Sequence, residues 1–205
     1  GLTAICRRHN ILVLSDEIHA DLVMPGHTHL PLETVSPDMK NRIITCTAPS
    51  KTFNLAGLQV SAIVIPDPES REHFAAAMKS CGLGMSNPFG LVAAEAAYRH
   101  GREWLQNLLI YINANHTYLV DFCREHTPWA KAMPMEGTYL AWIDFHAVGL
   151  DDDELTKRLR ETARVWLDEG PLFGPGGEGF QRMNLACPRT ILEEALERIK
   201  ILALS

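Results

Sequence analysis

Three residues of this 205-residue chain have side chains whose types suggest joint chemistry: Asp16, Lys51 and Arg182. Lys51 lies in Thr47-Ala48-Pro49-Ser50-Lys51-Thr52-Phe53-Asn54-Leu55-Ala56-Gly57-Leu58-Gln59, directly after the apolar run 42–47. A lysine at the end of a buried strand is expected in low-dielectric surroundings. Desolvation there favours the neutral, nucleophilic amine, the form that condenses with an aldehyde to an imine. Asp16 follows the apolar run 11–14 in Ser15-Asp16-Glu17-Ile18-His19-Ala20-Asp21-Leu22. Arg182 opens Gln181-Arg182-Met183-Asn184 behind a glycine-rich loop at 170–179. Taken singly, each has an ordinary reading: a solvated loop lysine, an aspartate that caps a turn, and an arginine in a surface ion pair.

The elements that must position them follow from hydrophobic period and punctuation. The run 11–14 reads as a parallel strand covered on both faces. Further strands are predicted at 42–47 and 60–65. Acids and a histidine just after a buried strand stand where open α/β sheets bind ligands, at the carboxyl ends of strands. Asp67 begins a helix that reaches about residue 81, with an acidic first turn suited to the helix dipole. Asn87 caps the next, with Pro88 at its first position. Residues 102–126 form one long amphipathic helix, stopped by Thr127-Pro128. A domain boundary is placed within it, giving 1–115 and 116–205. The remainder alternates: strand 138–145, a helix from the acidic start 151–154 to about 162, a short extended piece 164–167, strand 180–186 and an amphipathic helix 191–204. The chain opens at 2–9 with what reads as the end of a helix, so it starts in the middle of a βαβ pattern and is expected to be the second half of a longer one.

Composition narrows the partners. The formal net charge of −6 offers no basic footprint for nucleic acid. No apolar run is long enough for a transmembrane helix, and the first residues lack a signal-peptide pattern. Five cysteines, odd in number and without metal or redox spacing, read as reduced thiols of a cytoplasmic protein. His27, His29, His19 and Asp21 do not close a ligand set, and the acidic run 151–154 lacks calcium-loop spacing, so no metal site is predicted.

Together, Asp16, Lys51 and Arg182 match the needs of a pyridoxal phosphate enzyme. Such an enzyme requires a lysine for the imine and a carboxylate that keeps the ring nitrogen protonated. It also requires a bidentate cation for a substrate carboxylate, which arginine supplies best. Four ordered stretches resemble a known family: Ser15 to Leu22, Ser50 to Leu58, Gly137-Thr138-Tyr139-Leu140-Ala141-Trp142, and Arg182-Met183-Asn184-Leu185-Ala186-Cys187-Pro188-Arg189. They look like the second half of a fold-type-I pyridoxal phosphate enzyme of aminotransferase class I/II, in the MalY/PatB branch of cystathionine β-lyases and C–S lyases.

The resemblance implies an α/β fold: the C-terminal part of an aspartate-aminotransferase-type large domain, then a small α+β C-terminal domain. It implies Lys51 as the Schiff-base lysine, Asp16 as the ring-nitrogen partner and Arg182 as the binder of the substrate carboxylate. His19 stands where many aminotransferases place a tyrosine that bonds the ring's phenolic oxygen. Two departures appear: Gln59 where many aminotransferases have a phosphate-binding arginine, and Ala48 where they have a serine. Ser50 and Thr47 could substitute at the phosphate. The implied reaction is β-elimination of a sulfur amino acid to a thiol, pyruvate and ammonia, in a homodimer whose other half of the active site comes from an N-terminal portion. An aminotransferase using the same residues is one alternative, and a regulatory or scaffold protein with incidental catalysis is another. A DNA-binding module ahead of this fold is a third, which these residues do not test.

Overall fold

The computed structural model describes residues 1–204; Ser205, the last residue of the expected second domain, lies outside the described residues. The chain divides into two compact units, Gly1–Asn107 and Leu108–Ser205. The division falls within the long helix that the sequence predicts there.

The first unit begins with helix α1 (Leu2–Arg8), then strand β1 (Val13–Asp16) and a short helix α2 (Leu32–Val35). A 3₁₀ segment leads into β2 (Ile43–Thr47), which runs directly into the four-residue helix α3 (Pro49–Thr52). Strand β3 (Ala62–Val64) and helices α4 (Pro68–Ser80) and α5 (Pro88–His100) follow, and α6 (Arg102–His126) leaves the unit. The sheet order is β1-β2-β3. β1 and β2 are parallel, with Asp16 opposite Cys46, whereas β3 is antiparallel to β2. A small core of Cys6, Met39 and Ile43, with Val13 and Leu32 against it, ties α1 and α2 to one face of the sheet.

The helix starts follow their local chemistry. The Asp67 carboxylate accepts from Ser70 N at 2.8 Å, and Asn87 Oδ1 accepts from Phe89 N at 3.1 Å, each followed by proline at the first helical position. Side chains of this kind satisfy amides that have no partner inside the helix. One expectation is corrected. β1 is not covered on both faces: Leu14 is 67% and Leu12 53% exposed, while Val13 is half-buried. An apolar run specifies a strand that can be covered twice; among the described residues only one face has a covering layer.

The second unit contains the larger core. After α6 come β4 (Lys131–Ala132) and β5 (Leu140–Asp144), then α7 (Asp152–Lys157), which continues into a π turn. β6 (Asp168–Glu169), β7 (Phe180–Asn184) and α8 (Arg189–Ile199) complete it. The sheet is antiparallel throughout, in the order β4-β5-β7-β6. Ala141, Ile143 and Met183 point from it, joined by Leu167 just before β6, into a core shared with Leu119, Phe122 and Cys123 of α6 and Leu192, Leu196 and Ile199 of α8. Alternation along β5 and β7 puts Trp142 and Arg182 on the opposite face, since successive strand residues point to opposite sides. Asn115 of α6 is fully buried because it works for the backbone. Its Nδ2 donates to Leu185 O at 2.9 Å and Cys187 O at 3.1 Å, and its Oδ1 accepts from Arg189 Nε at 2.8 Å.

Candidate active site

In the first unit, the chemistry collects at the carboxyl ends of β1 and β2. Asp16 is the last residue of β1, and the α3 helix carrying Ser50 and Lys51 follows Thr47, the last residue of the adjacent parallel strand. The structure therefore brings Asp16, Thr47, Ser50 and Lys51 to one edge of one sheet. Asp16 is exposed; its Oδ1 accepts from Ile18 N at 3.2 Å and shapes the turn that leads to His19. Beside it, the Cys46 thiol is pushed above its ordinary range by burial and by the Asp16 charge. His19 is half-buried in the same turn, where its backbone carbonyl accepts from Leu22 N at 2.9 Å.

Two contacts hold this edge together. Thr52, fully buried, donates from Oγ1 to Asp21 Oδ2 at 2.9 Å, joining the Asp16–Leu22 turn to the lysine helix. Phe53 meets Tyr98 edge-on at 5.6 Å and Trp104 at 5.9 Å between ring centroids, so the far end of α3 is anchored on an aromatic cluster. Gly101 allows this approach: a Cβ there would fall 2.5 Å from Phe53 Cε1. Tyr98 shares a hydrogen bond with the Thr47 side chain, while burial and the Asp21 charge push its hydroxyl above the usual tyrosine range.

Glu17, one residue past Asp16 and among the acids the sequence places after β1 without a role of its own, is the buried acid of the region at 8% exposure. Its carboxylate accepts from Ser15 Oγ at 3.0 Å and Leu32 N at 3.0 Å and lies 2.9 Å from His29 Nε2. Burial acts to raise its pKa, but the bonds from His29, Leu32 and Ser15 outweigh it and hold the carboxyl below its ordinary range. His29 thus belongs to a structural clamp on the loop after the Asp16 turn. Among the described residues, no three His, Cys, Asp or Glu side chains form a metal-holding group.

The expected low-dielectric setting for Lys51 is not found: its side chain is exposed and has no hydrogen bond or ion pair among the described residues. The strand before it is buried or half-buried at every position, but the residue sits on the solvent side of α3, whose buried positions are Pro49 and Thr52. Gln59, also exposed, takes the left-handed conformation (φ 51°) that ends the 3₁₀ turn after α3.

In the second unit, Arg182 stands at the centre of a three-strand row. It is directly opposite Trp142 on β5 and Asp168 on β6. Asp168 Oδ2 accepts from Arg182 Nη2 at 2.7 Å and Nε at 3.1 Å. The guanidinium carbon lies 4.4 Å from the centre of the Phe173 ring, and Phe173 meets Trp142 edge-on at 5.5 Å. Trp142 in turn stacks on Phe180 at 5.4 Å. Phe173 comes from the 170–179 loop, which is pinched shut by Gly170 and Gly177: a Cβ on either would fall about 2 Å from the other's carbonyl oxygen. The ion-pair reading of Arg182 is therefore present, with Asp168 a partner that local sequence did not indicate.

A two-layer α/β unit with a lysine and an aspartate at adjacent strand ends, followed by a small α+β unit, is the arrangement of an aminotransferase-type fold. The family model described as Aminotransferase class I and II matches residues 1–199, and the chain belongs to that family. Among curated relatives, cystathionine beta-lyase PatB of Bacillus subtilis is 45% identical over 97% of this chain and 51% of its own length. Protein MalY of Escherichia coli is 35% identical over 94% of this chain and 49% of its own length. Among solved structures, cystalysin from Treponema denticola, which contains pyridoxal 5'-phosphate, superimposes with a TM-score of 0.94 at 37% identity, covering 98% of this chain and 51% of that one. The pyridoxal-phosphate-bound C–S lyase of Staphylococcus hominis gives 0.91 at 32% identity, covering 100% and 52%. The chain spans about half the length of the relatives it matches. No helix among the described residues is long and apolar enough to cross a membrane.

Proposed function

We propose that the complete protein is a pyridoxal-phosphate-dependent C–S β-lyase of the cystathionine β-lyase type, cytoplasmic and homodimeric. The observation that carries this reading is the pairing of Asp16 and Lys51 at the carboxyl ends of adjacent parallel strands, in a chain whose relatives include cystathionine beta-lyases.

The residues suit the cofactor. Asp16 is exposed and paired with no cation of this chain among the described residues, so its carboxylate is available to a protonated ring nitrogen. The Lys51 amine is similarly unengaged. Pyridoxal phosphate supplies an aldehyde for the amine and a ring that accepts carbanion charge.

Each residue then has one task. Lys51 would hold the cofactor through its amine, and the same amine, when free, is the general base placed to take the proton from the substrate Cα. Asp16 would place its negative charge at the ring nitrogen, which favours the protonated form there. His19 is the candidate donor to the phenolic oxygen, and Ser50 and Thr47 are candidates for the phosphate. Arg182 receives the α-carboxylate, which fixes the direction of the Cα–H bond. Loss of that proton and of the thiolate from Cβ, followed by addition of one water to the enamine that remains, gives thiol, pyruvate and ammonia.

The test is product analysis with cystathionine. Pyruvate formed without an added keto acid, and lost in Lys51→Ala, supports the lyase. Amino transfer that requires a keto acid would make the protein an aminotransferase instead. Turnover that survives Lys51→Ala would refute the role of the lysine in either.

A further inference from the structure

Resting on the role of Arg182 just given, we propose that Asp168 is a positioning residue and built-in counter-charge for that arginine: it aims the guanidinium at the substrate carboxylate and limits how tightly the carboxylate is held. A guanidinium has five N–H donors in one plane. Asp168 takes one from Nε and one from Nη2, both on a single oxygen. The edge formed by Nη1 and the remaining Nη2 hydrogen is the edge that accepts a carboxylate with two parallel bonds. Phe173 lies against one face of the group, 4.4 Å from its centre, and prevents it from tilting that way.

The placement is built by the sheet, not by a flexible surface contact. Asp168, Arg182 and Trp142 are directly opposed on three neighbouring strands, where paired side chains meet at fixed spacing. The loop that brings Phe173 is closed by the Gly170–Gly177 contact. The arginine is therefore held on one edge and one face while its outer edge is left for a ligand. The same carboxylate that holds it also repels a second carboxylate arriving on the other side. The two side chains remain about one-third and one-half exposed, so this repulsion is moderated by water.

The two effects separate by substitution. Asp168→Asn keeps an acceptor oxygen for Arg182 but removes the negative charge. Asp168→Ala removes both. Binding of butyrate, an unreactive carboxylate, to the complete protein is measured by calorimetry, with butyramide as the uncharged control. Asp168→Asn should bind butyrate about three- to tenfold more tightly than wild type, a modest screened charge effect. Asp168→Ala should bind it no more tightly than wild type, and should lower kcat as the guanidinium loses its aim. Butyramide affinity should be equal in all three. Thermal melts establish that both variants fold; Asp168→Ser, which keeps a neutral acceptor and should also bind butyrate more tightly than wild type, replaces Asp168→Asn if that does not, and Asp168→Val, which removes charge and acceptor alike, replaces Asp168→Ala. Equal butyrate affinity in wild type and Asp168→Asn, or weaker binding in the latter, overturns the proposal. The imine absorption band with pyridoxal phosphate is recorded on the same samples. Its absence from wild type would refute the proposed function, whereas the butyrate series decides the role of Asp168 by itself.

Discussion

Thr52 Oγ1 donates to Asp21 Oδ2 at 2.9 Å, and through this bond the turn that begins at Asp16 is fixed to the helix that carries Lys51. Thr52 is completely buried, so its hydroxyl is not kept for solvent. Thr52→Val, nearly the same shape, leaves Asp21 without that donor. The expected loss is about 1–2 kcal/mol of unfolding free energy. Asp21→Ala, which removes the acceptor, combined with Thr52→Val should cost less than the sum of the two, with coupling of at least about 0.5 kcal/mol. Urea titration of the four proteins measures it; strict additivity would mean that the contact is not an energetic link.

The Glu17 clamp predicts an acid-sensitive stability. The carboxyl is held below its ordinary value of 4.5 in the folded chain, by His29, Leu32 N and Ser15 acting against burial. A carboxylate depressed in this way contributes stability that is full above the unfolded value and is lost as pH falls through the folded one. Glu17→Gln should be less stable than wild type at pH 7 by about 1–2 kcal/mol. The difference should shrink below pH 4.5 as Glu17 is protonated. Denaturant titrations at several pH values test this, and a difference that stays constant into acid would contradict it.

Much of the frame was legible in residue order because its causes are local. Asp67 and Asn87 announce their helices through side chains that reach amides two or three residues away. The α6 period is set by one face meeting one core. The strand ends bearing Asp16 and Lys51 follow from apolar runs and the turn residues after them. What was not legible depends on register or on distant partners. Asp168 faces Arg182 only because β6 and β7 align at that position, fourteen residues apart. Thr52 and Asp21 meet across thirty-one residues. The exposure of Leu14 depends on what covers the second face of β1, and a strand's own sequence does not specify that.

The Gly170–Gly177 pinch makes a steric prediction. A methyl on Gly177 would fall 2.1 Å from the Gly170 carbonyl oxygen and 3.1 Å from Pro171 N, both backbone atoms. Gly177→Ala should therefore destabilise the second unit by about 1–3 kcal/mol, the usual cost of overpacking. Gly84→Ala, where the added carbon meets nothing within 4 Å, is the control and should be near neutral. Thermal unfolding of both variants gives the comparison. Equal melting temperatures would show that the loop opens without cost.

The central claim is that Lys51, among the six lysines of the chain, holds the cofactor. The most direct measurement is borohydride reduction of the complete protein with pyridoxal phosphate, followed by mass mapping of the labelled peptide. The account predicts one reduced phosphopyridoxyl group, on Lys51, loss of the imine absorption band on reduction, and no specific label in Lys51→Ala, which without cofactor should melt at the temperature of the cofactor-free wild type because the side chain is exposed. Label on another lysine, or a protein that shows neither band nor label, would contradict it.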